Sequence, residues 1–302
     1  MTVQFGRKIA ISVSDGQSTR TWTDLKMDFS AAHTDDSEPS QAQVAIYNLN
    51  STSIAFIKES GQTLRIESSY NDNSYSLVFQ GDIEHAWTSI SGPDVAMNIK
   101  AEDGGNMLST TRVSVSLAPG ATAYQALSQL IAAAGAPLGV LDENMVSAAS
   151  ARVYATGITM FGSFGEFMDN ISHELGGRWF VTDGAFNFIE DNAPVDNRAV
   201  LVTPNTGLIG SPEVIMNKSR NDSKKISGIK WQMLMQPSLR PRQSFVIASR
   251  EHDRDIVIAE KVMHKGDNWN GEFFTIVEAT LPVAQLTSFL RITELAEEAG
   301  VL

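Results

Sequence analysis

The segment Val262–Ala279, VMHKGDNWNGEFFTIVEA, lies near the end of a 302-residue chain and places one histidine and three acidic side chains around two glycines. These side chains are His264, Asp267, Glu272 and Glu278. Alternating apolar residues predict one strand over Val257–Met263 and another over Phe273–Ala279. The residues between them are predicted to form the connection, with Gly266 and Gly271 supplying backbone freedom. We therefore interpret this segment as the last hairpin of a β domain, with His264 in a structural role, and not as a catalytic pocket.

Two regions of the chain show the alternation that is typical of half-buried strands. The first covers residues 1–104, where apolar residues recur at every second position, as in Ile9, Ile11 and Val13. Turn-forming clusters separate its predicted strands at intervals typical of an antiparallel sandwich or barrel. The second region covers residues 196–281 and includes Ile229, Trp231 and Met233. We therefore predict two β-barrel-like domains.

Residues 105–195 carry a different pattern and are predicted to form a small α+β domain. Thr122 stands three residues before Gln125, which predicts a capping box and a helix that ends at Gly135. Ser163 and Glu166 predict a second capping box and helix. A hairpin is expected over residues 178–189, with Asp183-Gly184 in a type I′ turn. The tail, residues 282–302, is predicted to be helical, which completes a mainly β chain with an α+β insertion.

Composition limits the classes of function. The chain has no cysteine, which removes disulfides and thiolate metal sites and fits assembly in a reducing cytoplasm. No apolar run approaches the roughly 20 residues that span a bilayer, so membrane insertion is not expected. The net charge of −12 opposes nucleic-acid binding through phosphates, although an acidic wall would let DNA pass without adhering.

The charge is unevenly distributed. Residues 218–254 contain nine Lys and Arg against three acidic residues, whereas residues 1–105 contain seven Lys and Arg against fourteen acidic residues. The basic segment is interpreted either as a solvated face or as a docking patch for an acidic partner, including a second copy of the chain.

Sequence motifs for catalysis are incomplete. His173 and Glu174 begin a zinc-protease pattern, but Gly177 occupies the place of the second histidine. Ser163 lacks the glycine two residues before it that a nucleophile elbow requires, and it is better explained as a helix cap. No phosphate-binding glycine motif occurs, and the carboxylate pairs Asp35-Asp36 and Glu297-Glu298 lie in polar loop or tail sequence, where we expect them to be solvated at the surface. We predict no catalytic, cofactor-binding or metal-binding residues, no cofactor, and no enzymatic activity.

Three blocks, in order, resemble the C-terminal region of tailed-phage baseplate hub proteins, the group that includes late control protein D. They are NTGLIGSPE (Asn205–Glu213), MQPSLRPRQSFVIAS (Met235–Ser249) and VMHKGDNWNGEFFTIVEA. A weaker resemblance covers Ala42–Ser53 and Leu77–Ala86. The chain departs from the family pattern at Arg242, which stands where glycine usually follows proline, and over residues 215–225, which are unusually polar and basic.

The resemblance implies a homotrimer in which two pseudo-symmetric β-barrel domains per chain form a ring of six. Such a hub adapts the sixfold tail tube to a threefold spike or central fibre and surrounds the path of DNA ejection. The implied partners are further copies of the chain, a tail tube or distal tail protein, a spike or central fibre protein, other baseplate proteins and the tape measure protein. DNA is transiting cargo. The implied location is the virion tail, assembled in the cytoplasm of the host bacterium.

Two other functions compete with this interpretation. A tail-associated cell-wall hydrolase would need a carboxylate or Cys/His constellation, which the motifs do not supply. A hub-like spike component of a contractile secretion system or phage-like particle would share the fold, but such spikes usually continue into a long β-helix. Because this sequence stops at Leu302, we expect the spike to be a separate chain.

Overall fold

The computed structural model describes residues 6–37, 39–59, 61–70, 74–104, 111–135, 137–191, 193–196, 198–218, 224–250 and 253–280. These residues form a mainly β protein in which a large antiparallel sheet accompanies a helical insertion, as the sequence predicted. The predicted C-terminal helix over 282–302 lies outside the described residues.

The strands and helices are numbered in chain order. The strands before residue 104 are β1 Arg7–Ser14, β2 Thr19–Trp22, β3 Met27–Thr34, β4 Ser40–Tyr47, β5 Thr63–Tyr70, β6 Ser76–Ser91 and β7 Asp94–Asp103. Those of the insertion are β8 Arg112–Leu117, β9 Ala121–Thr122, β10 Leu138–Leu141, β11 Val153–Tyr154, β12 Ile158–Ser163, β13 Gly177–Thr182 and β14 Ala185–Glu190. The last strands are β15 Ala199–Val202, β16 Leu208–Lys218, β17 Lys224–Leu234, β18 Ser244–Ala248, β19 Asp253–Asp267 and β20 Phe273–Thr280. The helices are α1 Ser51–Ile57, α2 Ala123–Ala134, α3 Glu143–Ala151 and α4 Phe164–Leu175.

The first and last groups of strands have the same order in the sheet. In the first β unit, β1–β7, the order is β3-β4-β7-β6-β5-β1, followed by β2. In the second β unit, β15–β20, the order is β16-β17-β20-β19-β18-β15. Each strand of the second unit therefore has a counterpart at the same place in the first, and β2 is an addition. One pairing differs in direction, because β1 runs antiparallel to β5 whereas β15 runs parallel to β18.

The correspondence extends to single residues of the two longest strands. Both β6 and β19 contain a register shift, and the extra residue is a glutamate in each, Glu84 and Glu260. The residue before each glutamate donates its backbone N–H to a glutamine carbonyl. Ile83 donates to Gln62 at 2.9 Å, and Ala259 donates to Gln243 at 3.0 Å. Since bulges fix both register and bend, the two units are repeats of one architecture.

The insertion has its own core and accounts for the α+β character. Buried residues of α2, α3 and α4 pack against strands β13 and β14, with Phe164, Phe186 and Trp179 in contact. The predicted capping box at Thr122 and Gln125 forms. Ser163 precedes α4 but makes no side-chain capping bond, so the second predicted capping box is wrong. Both residues of the predicted type I′ turn have positive φ, 53° at Asp183 and 76° at Gly184.

Two helices were not predicted from the sequence. Helix α1 follows Asn50, whose side chain accepts from the N–H of Ser53, and α3 follows Asp142, whose side chain accepts from Asn144 and Met145. Each N-cap residue is a standard start signal, but both helices are short and lack a long apolar stripe.

The described residues contain three hydrophobic clusters, one for each β unit and one for the insertion. Met235 and Phe273 come from the second unit and pack into the cluster of the first. The domain boundaries after residues 104, 195 and 281 stay predictions. Within the described ranges, no helix is long and apolar enough to cross a membrane.

Candidate assembly site

The two β units meet along one strand pair, which we call the seam. Residues Lys261–Asp267 of β19 run antiparallel to residues Asp28–Thr34 of β3, from the pair Lys261 and Thr34 to the pair Asp267 and Asp28. The seam merges both units into one 13-stranded sheet. His264, Lys265 and Gly266 therefore lie in a strand, and the prediction that they form a turn is wrong.

Position 266 requires glycine because no room is left for a side chain, and not because its backbone has a positive φ. A Cβ atom built on Gly266 would lie 2.3 Å from Cε1 of Phe29, closer than carbon atoms approach in proteins. Gly266 is absent from the residues with positive φ. The glycine therefore lets the aromatic ring of the first unit approach the backbone of the second closely.

The turn after the seam also ties the two units together. The Asp267 carboxylate accepts from the N–H groups of Trp269 and Asn270 at 2.7 and 3.1 Å, which closes the turn locally. The Asn268 side chain reaches the first unit, where its Oδ1 accepts from Met27 N–H at 2.9 Å and its Nδ2 donates to the Leu25 carbonyl at 2.7 Å. Asp267 and Asn268 thus serve the turn and the seam.

Two histidines, His33 and His264, are fully buried at the seam with ring centroids 5.8 Å apart. His264 bonds the Thr275 hydroxyl at 3.0 Å and the Leu239 carbonyl at 3.3 Å, and His33 bonds the Val78 carbonyl at 2.9 Å. Burial and then the Arg240 cation lower the pKa of His33 to about 3. Burial, His33 and Arg240 likewise lower the pKa of His264 well below its usual value. Both rings are neutral at pH 7 and shielded from solvent, so His264 is placed to hold the structure together.

A buried ionic cluster joins all three parts of the chain. Asp35 follows β3 and accepts from Arg178 of the insertion at 2.8 Å and from Arg242 of the second unit at 3.3 Å. Burial raises the pKa of Asp35, although the two guanidinium groups oppose this rise. Arg242 also donates to the carbonyls of Asp191 and Ala193. Its φ of 65° is the left-handed conformation that favours glycine, so the chain keeps a glycine-like turn at this position.

Arg240 makes a second link between the three parts. Its guanidinium donates to the Asp183 carboxylate at 2.8 Å and to the Leu77 carbonyl at 3.2 Å. Nearby, the Asp103 carboxylate accepts from Gly184 N–H at 2.8 Å, and burial raises the pKa of Asp103 to about 7. The turn predicted at Asp183-Gly184 therefore packs against both β units.

The sequence alone could not identify these junction residues. Positions 35, 178 and 242 are far apart in the chain, and no spacing rule connects them. The only signal was that Arg242 occupies an expected glycine position. Asp35 was interpreted as solvated, but its side chain is 6% exposed, so that interpretation is wrong.

The other sequence candidates are not themselves residues of the seam, although Glu272 and Glu278 lie beside it. Ser163 immediately precedes α4, His173 lies near the end of the same helix, and Glu174 pairs with Arg152. Glu272 pairs with Lys265 at 3.3 Å, and Glu278 pairs with Lys230 at 2.9 Å. Glu297 and Glu298 lie outside the described residues. In the part of the chain that the structure describes, no group of His, Cys, Asp and Glu side chains is arranged to hold a metal ion.

The basic segment is not one continuous surface. Arg242 is buried and Arg240 is partly buried at the junction, and Lys230 pairs with Glu278 across strands β17 and β20. A docking patch would have to use the other basic residues of this segment. These are Lys218, Arg220, Lys224, Lys225, Arg250 and Arg254.

Comparison with known proteins identifies the fold. No protein-family model matches the chain, and no curated protein matches its sequence. Among solved structures, a tail protein from Neisseria meningitidis has a TM-score of 0.64 at 9% identity, over 90% of this chain and 96% of that one. The 43 kDa tail protein of prophage MuSo2 from Shewanella oneidensis has a TM-score of 0.64 at 7% identity, over 91% and 97%.

A third similar structure comes from a secretion system. It is an E. coli component of the type VI secretion system, described as similar in structure to the bacteriophage T4 tail proteins gp27 and gp5. Its TM-score is 0.59 at 12% identity, over 85% of this chain and 74% of that one. At such identities the likeness concerns architecture. The chain therefore has the fold of phage tail proteins and of related secretion-system components.

Proposed function

We propose that this chain is the trimeric central hub of a phage tail baseplate. The observation that carries the proposal is the repeated strand order of the two β units, joined edge to edge within one chain. Three copies contain six such units. A ring of six similar units presents a nearly sixfold surface, whereas the insertion occurs once per chain and imposes threefold symmetry.

This arrangement suits an adaptor between two symmetries. The six repeated units would face the sixfold tail tube or a distal tail protein. The threefold features would face a spike or central fibre protein, with other baseplate proteins and the tape measure protein as neighbours. DNA would cross the central opening as cargo, and the net charge of −12 would limit its adhesion to the wall. The proposed location is the virion tail, after assembly in the host cytoplasm.

Mass measurement and electron microscopy of the purified chain test this proposal. We expect a species of three chains that appears as a threefold ring with an axial hole. Addition of the tail tube protein should then produce rings capped on one face. A compact monomer that stays monomeric with its tail neighbours present would contradict the hub.

A second candidate is a hub-like spike component of a contractile secretion system. The observation that favours it is the architectural similarity to the E. coli type VI component. Binding assays against a phage tail tube protein and against a secretion-system tube protein separate the two settings. Selective capture of the secretion-system tube protein would support this second candidate.

We propose that the role is structural and not enzymatic. Among the described candidate residues, the two buried histidines serve the seam and Glu174, Glu272 and Glu278 are paired with cations. Purified protein mixed with peptidoglycan should leave its turbidity unchanged, whereas lysozyme in a parallel sample lowers it. A fall in turbidity caused by the chain would contradict the structural role and support the alternative that the chain is a cell-wall hydrolase.

A further inference from the structure

The two long repeated strands, β6 and β19, differ in how their edges are used. The first half of each pairs with a preceding strand, β5 for β6 and β18 for β19. The second half of β19 then pairs with β3 in the seam. Within the described residues, no strand lies along the second half of β6 on the side away from β7. The edge that β3 covers in the second unit is therefore left without a described strand beside it in the first unit.

Residue equivalence follows from the shared bulge. Counting from Glu84 and Glu260, Trp87 corresponds to Met263, Thr88 to His264, and Ser89 to Lys265. These equivalent residues face equivalent partners, since Thr88 pairs with Met97 of β7 and His264 pairs with Thr275 of β20.

The strand that would cover this edge also has a counterpart. In the seam the covering strand is β3, and its equivalent in the second unit is β16, at the end of the sheet order. Register through the neighbouring strands makes Glu213 equivalent to Ser30 and Val214 equivalent to Ala31. In the described ranges there is therefore one β6 edge without a strand beside it and one terminal β16 strand, each equivalent to one half of the seam.

We propose that the second half of β6 pairs antiparallel with β16 of another copy of this chain, in the register that β19 and β3 use within one copy. This register places Ser89 opposite Glu213 and Thr88 opposite Val214. The inference rests on the proposed hub function and names the contact that closes its ring. Because the two edges differ, the contact is heterologous and generates a closed ring when its rotation divides a full turn.

Exposure and shape support this occupant. Among the described side chains of the two strands, three large apolar ones are exposed, Trp87 at 40%, Ile90 at 79% and Ile209 at 38%. A groove of about 410 Å³ runs beside the β6 edge between Gln62 and Ala86. Exposed strand edges and apolar side chains favour pairing with another strand.

The details at the end of the contact are also complementary. The seam places Phe29 against Gly266, which is large against small. In the proposed contact, Ile90 takes the place of Gly266, and the place of Phe29 falls within the register shift of β16 that contains Gly210. In the seam the large residue, Phe29, is on the covering strand and the small one, Gly266, is on β19. In the proposed contact the large residue, Ile90, is on β6 and the small one, Gly210, is on the covering strand β16, so one large side chain again fills the space between the strands.

Disulfide trapping tests the proposed register. The chain has no cysteine, so a Ser89→Cys, Glu213→Cys double variant contains only the two introduced thiols. Six strands separate β6 from β16 in one copy, so this disulfide would link two copies. A Lys265→Cys, Ser30→Cys variant is the matched positive control, because the seam pairs these residues within one chain. A Ser89→Cys, Ser128→Cys variant, with its second thiol on α2, measures chance collisions.

We expect mild oxidation of the first variant to give bands of two and three chains on a non-reducing gel, at least tenfold stronger than in the collision control. The seam control should stay at one chain and lose its free thiols. Trimers by mass without disulfides above the collision level would overturn the β6 and β16 contact and leave the hub intact. Failure of both the trimer and the disulfide, with the tail tube protein present as well, would overturn both proposals.

Discussion

The covered edge of β19 and the edge of β6 that no described strand covers, here called the bare edge, belong to units with one strand order, yet they have different surroundings. In the second unit, the edge residues Val262 and His264 are completely buried by β3 and its neighbours. In the first unit, the equivalent part of β6 carries Trp87 and Ile90 at the surface. The difference teaches that one chain contains a complete edge contact, between β19 and β3, and also the two equivalent strands, β6 and β16, which are not paired with each other.

The ionic cluster at Asp35 should give the largest effect if the covered edge is broken. Asp35→Ala leaves Arg242 buried without its carboxylate, and removal of one partner of a buried pair costs about 3–5 kcal/mol. Asp36→Ala changes an exposed neighbour and is the matched control, with an expected cost of about 0.5 kcal/mol or less. Urea unfolding of both variants measures the difference. Equal stability would show that the cluster does not hold the three parts together.

A methyl group at Gly266 should weaken the seam through overpacking. Gly266→Ala places Cβ against the Phe29 ring, and we expect a loss of about 1–3 kcal/mol. Gly165→Ala in α4 is the control, because its nearest atoms are 3.9 Å away and helix propensity favours alanine by about 1 kcal/mol. In thermal unfolding, we expect Gly266→Ala to lower the melting temperature and Gly165→Ala to raise it. A neutral Gly266→Ala would mean that the seam tolerates separation of its strands.

The buried histidines make the covered edge sensitive to acid. The unfolded chain binds protons near pH 6.5, whereas folded His33 resists protonation until about pH 3. The unfolded state therefore gains protons first as the pH falls, and stability drops below pH 6.5 by up to about 1.4 kcal/mol per pH unit for each such histidine. Asp103 acts in the opposite direction, since its pKa of about 7 makes the folded state bind a proton first.

Comparison with His33→Gln isolates the histidine contribution to this pH dependence. The slope of unfolding free energy between pH 4 and 6 should be smaller in the variant, because one titrating group is lost while Asp103 is retained. Identical slopes in both proteins would contradict the neutral buried state of His33.

Salt should have the smallest effect and acts on the bare edge. Lys218 lies in β16 and Lys224 and Lys225 lie in the neighbouring β17, and the first region of the chain is acidic. Attraction between copies should therefore weaken as the Debye length falls from about 10 Å at 0.1 M to about 3 Å at 1 M. We expect the fraction of trimer at a fixed protein concentration to fall several-fold. An oligomer mass that stays the same from low to high salt would show that charge attraction does not contribute, and that strand pairing and apolar burial alone stabilise the contact.

The sequence predicted what local chemistry determines. Alternation identified the two β regions, and the capping residues identified α2 and its exact partner pair Thr122 and Gln125. It mistook His264 and Gly266 for turn residues, because their burial comes from β3, more than 200 residues earlier. The cluster of Asp35, Arg178 and Arg242 could not be predicted, since only the folded chain brings its three members together.

Cryo-electron microscopy of the purified chain, at a resolution that separates strands, tests the central claim most directly. We predict a threefold ring of six β units in which every unit boundary is a strand pair. Three boundaries would be the seam between β19 and β3, and three would join β6 of one copy to β16 of the next. A closed ring in which these two edges do not meet, or a monomer with both edges in solvent, would contradict it.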